Sequence, residues 1–184
     1  KIPADTVVGW MQQVTQVITY LHSQKEPIFY RDMKPDNVMI QSDGSVRVLD
    51  FGISIVIRCK GQKIDSALGT KGYAAPEQCK KGNLCDLRSD IYAMGMTMYY
   101  MLTGINPSQL KGGIKNPREV DSSIPVGLEN IVLKCIQSSP DERYQSCEEL
   151  LYDLQNYKTL NAKYRKSIKK KCKVVIGLYI VSTM

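Results

Sequence analysis

The chain has 184 residues, 43% of them hydrophobic and 23% charged, which is enough to bury one core and excludes a largely disordered polypeptide. Its net charge of +7 is local, because residues 1–157 carry 17 bases against 18 acids and the other eight bases fall within 158–173; the body therefore offers no electrostatic footprint for DNA or RNA. Six cysteines without a C-x-x-C pair and one histidine, His22, exclude the usual zinc and disulfide frameworks and read as reduced, cytosolic thiols.

Taken in chain order, Val7, Val8, Met11, Val14, Val17, Ile18 and Leu21 recur at helical spacing, with Asp5 as the expected N-cap and an end near Ser23. Short β-rich runs at 38–41 and 46–49 flank Ser42-Asp43-Gly44-Ser45, a hairpin signal that folds Asp50 back towards Asn37. Residues 53–72 lack periodicity and read as irregular. From 90 to 102 the chain is apolar on all sides after one acid, as in a helix buried within a helical domain, and Gly104 supplies the stop. Helices are expected over 126–137 and 146–157, the second opened by a Ser146-x-x-Glu149 capping box. Bases crowd 158–173, and an uncharged apolar run then continues to Met184. That run falls short of the roughly 20 residues of a membrane span. It reads as the opening of a truncated transmembrane helix behind a cytoplasmic juxtamembrane stretch, or as a terminal strand or helix packed on the body, or as a frayed tail.

The chemistry concentrates in Tyr30-Arg31-Asp32-Met33-Lys34-Pro35-Asp36-Asn37 and, thirteen residues after that Asn, Asp50-Phe51-Gly52. Phosphoryl transfer needs an acceptor for the proton of the incoming hydroxyl, a cation near the transferred group and metal ions against the triphosphate. Asp32 suits the first role, Lys34 the second, and Asn37 and Asp50 offer the hard oxygens that Mg²⁺ prefers. Any one of these alone would be an ordinary loop charge; their joint order and spacing matches a known template, R-D-x-x-x-x-N followed by D-F-G.

On these motifs the chain resembles the C-terminal lobe of a eukaryotic-like serine/threonine protein kinase, most similar to the bacterial membrane-anchored kind, over about residues 1–157. The resemblance implies a mainly α fold with a small β-hairpin at the catalytic loop, an activation segment at 50–77, ATP and Mg²⁺ as cofactors, and protein substrates. Gly69-Thr70-Lys71-Gly72-Tyr73-Ala74-Ala75-Pro76-Glu77 resembles the substrate-docking loop. Asp90 resembles the buried acid that holds the catalytic-loop backbone, and Arg143 the arginine that pairs with Glu77. Lys34 with the Gly-Thr element implies Ser/Thr over Tyr specificity. Thr70 either bonds Asp32 and Lys34 or is itself phosphorylated. Arg31 implies an activation segment ordered by a phosphate, with Ser66 the first candidate acceptor unless it is only a polar loop residue beside Asp65. Tyr30 stands where a His is common and is expected to pack on Phe51, while His22 reads as a helix-end residue without a catalytic role.

The glycine-rich loop, the Val-Ala-x-Lys lysine and its partner Glu are absent from these 184 residues, so the chain reads as a piece of a longer polypeptide starting at the second lobe. Without a β-rich N-terminal lobe, nucleotide binding is expected to be crippled and the face towards that lobe exposed. The expected location is the cytoplasmic face of the membrane, with the tail as anchor, and a kinase–kinase dimer is a further implied contact. Two rival readings are a pseudokinase-like binding scaffold and a small-molecule phosphotransferase. The retained Asp32, Asn37 and Asp50 weigh against the first, and the docking loop against the second.

Overall fold

The computed structural model describes residues 1–58, 62–63, 69–79, 82, 86–110 and 113–160. Ser66, most of the basic stretch and the apolar run to Met184 lie outside the described residues. Helices dominate, joined by short strands in two antiparallel pairs.

Helix α1 spans Ala4–His22 and buries the predicted stripe, with Val7, Met11, Val14 and Ile18 fully shielded. Asp5 is not its N-cap: Pro3 takes that place with no side-chain cap bond. Asp5 lies in the first turn instead, where the helix dipole favours an acid, and it accepts a hydrogen bond from the Tyr157 hydroxyl. Strand β1, Ile28–Phe29, leads into the loop at 30–37. Strands β2, Val38–Ile40, and β3, Val46–Val48, form the predicted hairpin in the register Val38↔Val48, Met39↔Arg47 and Ile40↔Val46. Strand β4, Ile55–Val56, then returns to pair with β1, an arrangement with no alternation signal in two-residue strands.

Helix α2, Arg88–Thr103, begins two residues before the expected start and ends at Gly104 in the left-handed conformation, φ 75°. It is the central element: thirteen of its residues are buried, and it packs against α1 and the later α4. Gly95 permits that approach, since a Cβ there would lie 2.5 Å from Cβ of Cys135. A short helix α3, Pro117–Val120, precedes α4, Val126–Cys135, which stops before the predicted 137 because Ile136 leaves the helical region and a Ser138-Ser139-Pro140 turn follows. Helix α5, Cys147–Gln155, is likewise shorter than 146–157. Its Ser146 accepts the Glu149 N–H as the capping box requires, but the Glu149 carboxylate reaches the N–H of Gln145, one residue earlier than expected. Helix α5 packs along α1, so the core runs α5, α1, α2, α4. Six of the eight methionines are buried in it, flexible filler between helices of uneven spacing.

Candidate active site

Strand β1 delivers Tyr30 and Arg31 onto α2, where the fully buried Asp90 carboxylate accepts both of their backbone N–H groups, at 2.9 and 2.8 Å. Arg31 has φ 75°, a conformation costing a non-glycine residue about 1–3 kcal/mol. It is held from both sides, because the Gln78 amide donates to its carbonyl at 3.3 Å. The Arg31 side chain is buried, its guanidinium 6.0 Å from the Phe29 ring centroid.

Asp32 follows directly. Its Oδ1 accepts from the Thr70 hydroxyl at 2.6 Å, and its Oδ2 accepts from the Lys34 ammonium at 2.7 Å and from the Asn37 amide at 3.0 Å. Lys34 also donates to Thr70 at 2.9 Å, so the segment 69–77 is tied to the loop at 30–37. Burial by itself would raise the Asp32 carboxyl; the Lys34 ammonium and the Thr70 and Asn37 donors outweigh it and hold the group below the usual carboxylate range. Asp32 is therefore an anion whose oxygens are aimed by three neighbours.

The hairpin returns Leu49 to Asn37, whose carbonyl accepts the Leu49 N–H at 2.8 Å, and so brings Asp50 beside the loop. Asp50 is exposed, has φ 56°, and accepts the Gly52 N–H at 2.9 Å. The Asn37 amide nitrogen also donates to the Asp32 carbonyl at 2.8 Å, which leaves its carbonyl oxygen for another partner. With Asp50 this gives two hard oxygen donors. Among the described residues no cluster of three or more His, Cys, Asp or Glu could hold a metal. A cation held by one carboxylate and one carboxamide, with the remaining oxygens from phosphate and water, fits Mg²⁺.

The Tyr30 ring meets Phe51 edge-on at 5.3 Å, and its hydroxyl donates to the Leu49 carbonyl. Sequence reasoning missed that second contact, as it missed Gln78, since neither belongs to a motif. Ser54 Oγ donates to the Tyr30 carbonyl at 3.0 Å. Below the site, Arg143 makes a two-pronged pair with Glu77, at 2.6 and 2.9 Å. Burial works against the Glu77 charge, but Arg143 and the Ser89 hydroxyl hold its carboxyl below the ordinary value of 4.5. In the segment 69–77 Gly72 has φ 86°, and a Cβ there would lie 2.5 Å from the Ser108 nitrogen. His22 is a helix-end residue, yet its Nε2 lies 2.9 Å from Asp90, a contact its position gave no reason to expect.

Fold and site together define a protein of the kinase class, and the chain belongs to the protein kinase domain family, whose model matches residues 1–173. It is 30% identical over 173 residues to a probable serine/threonine-protein kinase of Clostridium acetobutylicum, an alignment covering 86% of this chain and 25% of that protein. It is 31% identical over 156 residues to the serine/threonine-protein kinase PrkC of Bacillus subtilis, covering 78% and 24%. To PknB of Mycobacterium tuberculosis it is 34% identical over 146 residues, covering 72% and 23%. The chain spans about a quarter of the length of these curated relatives.

Proposed function

We propose that the chain is the helical C-terminal lobe of a serine/threonine protein kinase that transfers the γ-phosphoryl group of ATP to Ser/Thr hydroxyls of proteins. The observation that carries the reading is the convergence of Lys34, Thr70 and Asn37 on the two oxygens of Asp32. In the working site Asp32 accepts the hydrogen bond of the incoming hydroxyl and takes its proton as the new oxygen–phosphorus bond forms and the bond to the β-phosphate oxygen breaks. Lys34 steadies the γ-phosphate. Asn37 and Asp50 hold Mg²⁺, which when bound neutralises charge on the triphosphate. Thr70 shapes the acceptor side, and the loop around Gly72 receives the substrate backbone.

The nucleotide clamp, a glycine-rich loop and a lysine on a β-rich lobe, lies outside these residues, so transfer requires that lobe. Phosphorylation at Ser66, paired with Arg31, orders the activation segment. The basic stretch 158–173 and the apolar run after it favour a location at the cytoplasmic face of the membrane; fractionation of the complete protein with and without residues 158–184 tests this, and an unchanged distribution refutes it. The central experiment is intact-mass detection of Mg-ATP-dependent phosphate incorporation by a form extended with its native upstream coding segment. Transfer is expected there and lost in Asp32→Asn and in Asp50→Asn. Unchanged transfer in either variant removes its assigned role, and no transfer by the extended parent moves a non-catalytic scaffold to the front.

A further inference from the structure

Asp90 has a third partner besides the two loop amides. His22, the last residue of α1, places Nε2 2.9 Å from Asp90 Oδ2, and its Nδ1 lies 3.6 Å from Sγ of Cys147, the first residue of α5. All three groups are sheltered: the side chains of His22 and Asp90 are 11% and 0% exposed, and Cys147 is 1% exposed. Three helices remote in sequence thus each contribute one side chain to a line that ends on the amides of Tyr30 and Arg31.

We propose that Cys147 and His22 are positioning residues for the loop that carries Asp32: the Cys147 thiol donates to His22 Nδ1, which fixes the ring proton on Nε2, and that N–H donates to Asp90. A carboxylate only accepts, so the ring nitrogen facing it must bear the hydrogen. In the neutral ring the other nitrogen then accepts, and the thiol is the donor within reach. Burial, reinforced by the Asp90 and Glu148 carboxylates, raises the Cys147 thiol well above its ordinary value and keeps its proton in place. With the proton on the wrong nitrogen, a bare lone pair would face Asp90 Oδ2, which also serves the Tyr30 N–H. The loop has reason to need the extra hold, because Arg31 sits at positive φ immediately before Asp32 and such a conformation persists only when its surroundings over-determine it. The consequence for turnover rests on the kinase reading; the side-chain relay itself does not.

The test uses the whole 184-residue chain and no nucleotide. His22 is its one histidine, so ¹⁵N imidazole signals need no assignment. The wild-type ring is expected to carry its proton on Nε2 alone; a proton on Nδ1, or on both nitrogens, at neutral pH overturns the proposal whether or not any variant folds. Amide hydrogen exchange is then compared in Cys147→Ser, which keeps a donor, and Cys147→Val, which removes it. Exchange at Tyr30 and Arg31 is expected to speed about tenfold in the Val variant and to stay near wild type in the Ser variant, with the Gly104 amide unchanged in both. Wild-type exchange in Cys147→Val, equal acceleration in both variants, or uniform acceleration at every amide assigns Cys147 to packing only and overturns the relay. Failure of the phosphotransfer reading would leave all these readouts untouched.

Discussion

Asp32, Lys34, Asn37 and Asp50 stand out in the sequence because their order and spacing match one template, and the fold brings Lys34 and Asn37 within hydrogen-bond distance of Asp32. Tyr30 was half legible. Its ring contact with Phe51 follows from the motif, whereas the hydroxyl bond to Leu49 depends on where the hairpin returns the chain. Tyr30→Phe keeps the ring and strands the Leu49 carbonyl, so urea unfolding should show a loss of about 1–2 kcal/mol. Tyr30→Phe unfolding at the wild-type midpoint would mean that water replaces the hydroxyl.

At the level of the elements, the period-3.6 stripes and the Asp-Gly turn located the long helices and the hairpin, while their ends moved by one or two residues. An end can depend on a partner from elsewhere in the fold, as the Tyr157 hydroxyl on Asp5 illustrates. The junction of α2 with α4 turns on Gly95. Alanine there would gain about 0.5–1 kcal/mol of helix preference but force Cβ into Cys135, so a net loss of about 1–3 kcal/mol is expected by calorimetry. The turn at Pro76–Cys79 is anchored on the later chain by Glu77 and Arg143, the Arg143 side chain being fully buried. Glu77→Ala leaves that guanidinium without its carboxylate and should cost about 3–5 kcal/mol in denaturant unfolding. The pH dependence has a definite sign. A carboxyl held below its unfolded value of 4.5 adds stability that is complete above that pH and is lost as pH falls through the lower folded value. Wild type should therefore lose more stability than Glu77→Ala on acidification from about pH 5 to about pH 3. Parallel curves would show that the pair does not set the acid limb.

Across the whole molecule, burial is uneven. The helical core is closed, yet Met39 is 48% and Phe51 47% exposed on segments next to the site, with Ile40 and Val56 also open. An N-terminal lobe seated there would cover such groups; in the isolated chain they invite association. Met39→Gln with Ile40→Thr should lower self-association in light scattering and leave the melting temperature nearly unchanged, because both side chains are already partly in water. Undiminished association would put the sticky surface elsewhere. No helix of the described residues is long and apolar enough to cross a membrane.

Local order carried the kinase-family motifs, the helical periodicities and the hairpin, because those signals are written over a few residues and rest on spacing along the chain. The tethers that hold the loop depended on long-range folding. Asp90 meets His22 across 68 residues and Glu77 meets Arg143 across 66, and His22 meets Cys147 across 125. No local pattern records which distant helix will face a given side chain. That is decided when α5, α1 and α2 pack, since burying a polar group obliges it to find a partner wherever the packing supplies one.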